Sequence, residues 1–179
     1  MITNREELRQ YLSADQNNYD TSLKAKILGY LSWYKGMFLY HLRYAEYYEN
    51  KKQKSIITKI LCGYHKYKSR KLGFKLGYEI PLNTLGPGVI LDHHGTVVIN
   101  SKAQIGGGIL LAPGVIVGSG KGGVPVIGNN VTLQMGCKVY GGIRIGNNVT
   151  VAAMAVVTHD VPDNCVVAGI PAKILKYKE

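Results

Sequence analysis

At 179 residues the chain is long enough for one cored domain carrying a helical appendage. Its formal charge of +11 is uneven, since residues 1–78 hold 15 Lys+Arg against 6 Asp+Glu while residues 79–179 hold 7 against 5. Three widely spaced cysteines, Cys62, Cys137 and Cys165, contain no C-x-x-C pair, which argues against a disulfide framework or a cysteine zinc site. They read as small buried hydrophobes.

The opening "MITNREELRQ" is polar and carries a capping-box pattern, Thr3 to Glu6, so it predicts a helix start rather than a secretory leader. No uncharged run reaches the roughly 18 residues of a membrane span. The expected location is the cytoplasm, with a peripheral position at the inner membrane face as the variant. Residues 22–52 place apolar and aromatic side chains at helical spacing, and residues 54–74 read as a second, basic amphipathic helix. An α-helical region over 1–75 is therefore expected. Two readings of it stand: the helices pack on each other and on the C-terminal part of the chain, or Trp33, Tyr34, Phe38 and Tyr40 with Lys66, Lys68, Arg70 and Lys71 rest on an anionic membrane surface. No nucleic-acid module accompanies the charge, so nucleic acid is not an expected partner.

Beyond that region the period changes. Ile105, Leu111, Val117, Ile127, Leu133, Val139, Ile145, Val151 and Val157 recur every six positions apart from one gap, and four residues after most of them comes a second apolar or small residue such as Ile109, Val115, Val131 or Cys137. "IGNNVT" occurs at 127–132 and again at 145–150, three hexads later. Six fits neither the helical repeat nor simple strand alternation. It fits a parallel β-helix over 76–179 in which each hexad is a short strand and turn and three hexads make one triangular coil.

Two breaks interrupt the period. Leu85 and Leu91 stand two residues out of frame with Ile99, so an extra pair falls near "DHHGT", and four extra residues fall between Val117 and Ile127 in "GSGKGGVP". Bulges and loops leaving a regular solenoid are where binding and catalysis are usually placed. The adjacent Asp92, His93 and His94 thus sit at a bulge, and Lys121 sits in a glycine-rich loop.

Residues 79–176 resemble the left-handed β-helix hexapeptide acyltransferases, in particular the serine acetyltransferase branch and its relatives that O-acetylate capsular and exopolysaccharides. "LDHHGTVVIN" resembles that branch's L-D-H-x-x-G motif, "GSGKGG" its G-G-T-G-K loop, and "VVTHDVPDNCVVAGIPAKIL" its closing signature. The resemblance implies the left hand, acetyl-CoA as co-substrate without a metal, and a homotrimer with the active site between neighbouring prisms. By motif position it makes His93 the general base, Asp92 an acceptor contact and Glu79 the available orienting carboxylate, although "GYEIPLN" is one residue shorter than the matching D-I-H-P segment. His94 is either acceptor-facing or solvated. Gly118, Gly120, Lys121, Gly136, Ala153, Ala155, Pro171 and Lys173 fall to the CoA side, Lys121 serving CoA or acceptor, while the alanines are equally ordinary turn residues.

The chemistry accounts for the histidine. An alcohol attacking a thioester must lose its proton, and imidazole, with an unperturbed pKa of about 6.5, is largely free to take it near neutral pH. His41, His65 and His159 have no partner at ligand spacing, so no metal site is expected. The serine enzymes follow their glycine loop with an arginine-histidine-proline segment, where this chain has Gly123 and Val124. Their helical region is also about twice as long. The sequence therefore favours an O-acetyltransferase acting on a sugar hydroxyl of a surface polysaccharide or its precursor. L-serine is the alternative acceptor, and a non-catalytic trimeric scaffold the remote one.

Overall fold

The computed structural model describes residues 1–178. Four helices, α1 (Arg5–Gln16), α2 (Leu23–Ile27), α3 (Leu31–Glu49) and α4 (Ile56–Leu76), precede fourteen short strands. Thirteen of the strands, all but the last, run in parallel and build three sheets, the faces of a prism. The first face is β1 (Tyr78–Glu79), β3 (Val97–Ile99), β6 (Ile116–Gly118), β9 (Lys138–Tyr140) and β12 (Val156–Val157). The second is β4 (Gln104–Ile105), β7 (Val126–Ile127) and β10 (Arg144–Ile145). The third is β2 (Ile90–Leu91), β5 (Leu110–Leu111), β8 (Thr132–Leu133), β11 (Thr150–Val151) and β13 (Cys165–Gly169), closed by the antiparallel β14 (Ala172–Tyr177). This is a parallel β-solenoid with an N-terminal helical region, as the period of six predicts.

The register measures the breaks. Undisturbed coils pair residues eighteen apart, as Val98 with Ile116 and Val126 with Arg144. Across the bulge Ile90 lies opposite Leu110, two residues more. Across the glycine loop Ile116 lies opposite Lys138 and Leu110 opposite Thr132, four residues more. The final coil is two residues short, with Thr150 opposite Val166 and Ile145 opposite Val161, a contraction that the period did not predict.

The repeated "IGNNVT" has a physical reason. At one corner Asn129 Oδ1 accepts from Gly107 N–H at 2.8 Å, Asn147 Oδ1 from Asn129 N–H at 2.8 Å, and Asp163 Oδ1 from Asn147 N–H at 2.7 Å, a side-chain ladder running down the prism. The following asparagines, Asn130, Asn148 and Asn164, take left-handed backbone (φ 54–55°), which asparagine tolerates better than most residues. Inside, the hexad positions and their partners are buried in one continuous core that also takes in Phe38, Leu39 and Leu42 of α3. All three cysteines are buried and free, as expected; burial pushes the Cys137 thiol up to about 12.

The helices depart from the sequence expectation in two ways. The cap of α1 is Asn4, whose Oδ1 accepts from Glu7 N–H at 2.9 Å, while Glu7 Oε2 accepts from Thr3 N–H; the capping pair lies one residue beyond Thr3 and Glu6 because Asn4 caps as well as Thr3 does. Residues 22–52 form two helices, because the chain turns at Gly29 (φ +68°). Of the two readings of the aromatics, burial fits the packed one: Phe38 lies in the core, and Trp33, Tyr34 and Tyr40 are half-buried, so these four do not form an exposed face.

The helical region is tied to the first coil by a buried guanidinium. Arg43, fully buried on α3, donates to Asp15 Oδ2 (2.8 Å), Glu46 Oε2 (3.1 Å), Leu85 O (2.9 Å) and Gly86 O (2.6 Å). Asp15 Oδ1 in turn accepts from the N–H groups of Gly88 and Val89, and Glu46 Oε1 from that of Asn83. A buried charge needs this degree of pairing, since each unmatched ion costs several kcal/mol. Nearby, His41 and His65 meet Nδ1 to Nδ1 at 2.9 Å between α3 and α4. Burial, then His65 and Lys68, brings His41 down to about 4, and burial lowers His65 as well, so the pair is neutral at neutral pH and one ring donates to the other. These two histidines partner each other; among the described residues no group of three or more His, Cys, Asp or Glu side chains is placed to hold a metal.

Candidate active site

The bulge between β2 and β3 carries Asp92, His93 and His94 at the corner where the third face meets the first. His93 is exposed, its side chain 67% accessible, and its Nε2 lies 3.6 Å from Asp92 Oδ1. That distance is an ion-pair contact but too long for a hydrogen bond. Among the described residues neither ring nitrogen of His93 has a hydrogen-bond partner, so a lone pair is free for a proton from outside.

The main chain under this ring is held from three directions. Tyr78 Oη donates to His93 O at 2.8 Å, and Lys35 Nζ donates to Asp92 O. Tyr19 Oη accepts from Leu91 N–H at 2.5 Å and donates to Val89 O at 3.2 Å. Burial pushes both tyrosine hydroxyls well above the usual phenol range, so they remain protonated donors. Burial also lowers the Lys35 ammonium below its usual value, against the opposing pull of Asp92. All three grips reach main-chain atoms, and two come from the helical region. Sequence reading missed Tyr19, Lys35 and Tyr78, because a side chain gripping a distant carbonyl leaves no spacing signal.

Glu79 does not reach His93. On β1 Tyr78 points inward and Glu79 outward, opposite Val98, and no ion pair within 4.0 Å joins Glu79 to a histidine among the described residues. In this chain the residue that β1 sends to the bulge is Tyr78, and the carboxylate nearest the imidazole is Asp92. His94 is exposed beside a cavity of about 490 Å³ lined by Gly29, Leu31, Tyr34, Lys75 and Leu76.

Gly136 and Ala153 occupy the same corner as His93 in later coils, and Pro171 lies at the β13–β14 turn that ends this edge. Lys173 is exposed on β14 opposite Ala168. Ala155 is different: it is fully buried in the prism core, so its side chain faces no surface.

The glycine loop leaves the prism elsewhere, at the corner between the first and second faces. Gly120 and Gly123 exchange both main-chain hydrogen bonds, at 2.9 and 3.1 Å, closing a tight turn over Lys121 and Gly122. Gly122 has φ +83°, the value that glycine supplies in such a turn. Gly142 N–H donates to Lys121 O at 3.0 Å, so the next coil supports the turn from beneath. A Cβ on Gly118 would run into the Tyr140 ring. The Lys121 side chain is exposed and has no partner among the described residues. Because the strands of the first face are parallel, His93 precedes them and Lys121 follows them. The bulge and the loop therefore occupy opposite edges of that face, and one chain alone does not bring them together.

Comparison with known proteins agrees with this architecture. Residues 125–159 match the family model for the bacterial transferase hexapeptide of six repeats. A serine acetyltransferase of Synechococcus elongatus is 43% identical over 105 residues, covering 55% of this chain and 43% of its own length. The chain thus spans less than half of that relative. The crystal structure of serine acetyltransferase from Brucella abortus superposes with a TM-score of 0.68 at 24% identity, over 97% of this chain and 69% of that one. The structure of the Brucella abortus protein in complex with coenzyme A gives 0.65 at 23% identity, over 97% and 68%. At these identities the superpositions speak for the fold, including the helical region.

Proposed function

We propose that the chain is an acetyl-CoA-dependent O-acetyltransferase with His93 as general base and L-serine as acceptor. The observation that carries this reading is an exposed imidazole with no hydrogen-bond partner among the described residues on either nitrogen, on a bulge clamped by three side chains, in a solenoid similar to proteins named serine acetyltransferase. His93 takes the hydroxyl proton as the acceptor oxygen bonds to the thioester carbonyl carbon. The carbon–sulfur bond then breaks, and the CoA thiolate leaves and recovers the proton. Asp92, 3.6 Å from Nε2, steadies the imidazolium that forms between the two steps.

In this reading CoA lies along the edge that runs from His93 past Gly136 and Ala153 to Pro171 and Lys173. The free ammonium of Lys121, at the far edge of the face, comes from a neighbouring prism in a C3 trimer. The separation of the two motifs within one chain supports this reading, and the trimer itself is what the family resemblance implies.

A second acceptor class rests on one feature. Gly123 and Val124 stand where a cation and a histidine would hold an amino-acid carboxylate, and a buried carboxylate left without a partner costs about 1 to 3 kcal/mol or more. A neutral sugar hydroxyl, in a surface polysaccharide or its precursor, makes no such demand. Thiol release from acetyl-CoA, measured with L-serine and with a panel of saccharides, decides between them. Saturable turnover of serine alone supports the serine reading, turnover of a saccharide alone replaces it, and no turnover with any acceptor leaves a scaffold.

A further inference from the structure

We propose that the outward face of α4 docks on an anionic phospholipid surface. This goes beyond the acetyl-transfer reading and does not depend on it. At 3.6 residues per turn, the buried residues of α4, Cys62, His65, Ser69, Gly73 and Leu76, share the side packed on α3 and β1. The opposite side carries a second apolar stripe, Ile56, Ile60, Tyr64, Tyr67 and Phe74, which none of the described residues covers. Ile56 is 77% exposed, Ile60 65% and Phe74 93%. A core helix needs one apolar face, and this one has two.

Charge names the occupant. The 21 residues of α4 contain six Lys or Arg and no Asp or Glu. Lys59, Lys66 and Arg70 border the stripe on one side, Lys68 and Lys75 border it on the other, and Lys71 lies within it. Lys66 is partly committed, at 3.1 Å from Glu49 on α3, whereas Lys59, Arg70 and Lys71 make no ion pair among the described residues. An apolar stripe between two basic borders suits the boundary between acyl chains and anionic headgroups. A second copy of the chain suits it poorly, because two such helices face to face would oppose like charges along their whole length. No described helix is long and apolar enough to cross a membrane, so the contact is superficial. Lys75, on the border of the stripe near the end of α4, also walls the cavity beside His94, so a docked α4 holds that cavity close to the headgroups.

The test is co-sedimentation of the full chain with vesicles of phosphatidylcholine alone or with about 30 mol% phosphatidylserine, at roughly 0.05 and 0.5 M salt. The proposal predicts binding at least about tenfold tighter to the anionic vesicles, lost at high salt. Replacing Lys59, Arg70 and Lys71 together by Gln, or Ile60 and Phe74 together by Ser, should each weaken it by about tenfold or more with an unchanged thermal melt, since all five side chains are exposed. Equal binding to both vesicles, or wild-type binding by either variant, overturns the proposal. So does a light-scattering mass that falls in the Ile60→Ser, Phe74→Ser variant while the parent ignores vesicles, because the stripe then belongs to a second copy.

Discussion

The two places where the solenoid departs from its period are held by different means. The bulge at 92–96 is gripped by side chains from outside the coil, with Tyr78, Lys35 and Tyr19 fixing the main chain under His93. The turn at 120–123 is held by main chain alone, through its own pair of hydrogen bonds and the Gly142 donor beneath, and its lysine is free. Proton transfer tolerates little misplacement, and a group that performs it needs a supporting shell. A lysine that meets a phosphate acts as a flexible point charge and needs only reach. The means of support thus match the roles assigned to the two motifs.

The largest test breaks the clamp at its root. Arg43→Met leaves Asp15 and Glu46 buried without their cation and frees the helices from Leu85 and Gly86, so urea unfolding should show a loss of about 3 to 5 kcal/mol. Intermediate effects come from the grips themselves. Tyr78→Phe and Lys35→Met each remove one donor to a carbonyl of the bulge, and each should lower kcat by about tenfold through displacement of His93. The KM for acetyl-CoA should stay constant, and Lys35→Arg should recover most of the loss. The smallest effect belongs to the other motif. Lys121→Ala should raise the KM for acetyl-CoA by about fivefold, in a salt-dependent way, with no change in unfolding midpoint because no described residue pairs with that exposed side chain. A stability loss at Lys121, or none at Arg43, would reverse the comparison.

What the sequence discloses of this molecule divides along the same line. The solenoid is legible because its core is one-dimensional: each hexad stacks on its equivalent, so burial of Ile105, Ile127 and Ile145 is written as a period, and each insertion as a break of known size. The bulge and loop are legible for that reason. The short final coil is not, since its two missing residues fall in the turn before Val161, where too little of the repeat follows to reset the frame. The helices obey no such period. Their spacing says that apolar faces exist but not which partner covers them, so the sequence leaves Phe38 open between a packed and a membrane-facing position, the structure buries it in the core, and the spacing does not say which face of α4 stays exposed. The clamp residues are the least legible, because their partners are carbonyls and amides that every residue carries. Glu79 illustrates the limit: a motif position nominates a carboxylate, and strand alternation turns it away from the imidazole.

The central claim is that His93 removes the acceptor's proton, and single-variant kinetics address it directly. With the acceptor that gives saturable thiol release from acetyl-CoA, His93→Ala should lower kcat by about 100- to 10,000-fold and leave the KM for acetyl-CoA unchanged. Turnover within about threefold of the parent chain would contradict the account, because a general base contributes far more than that.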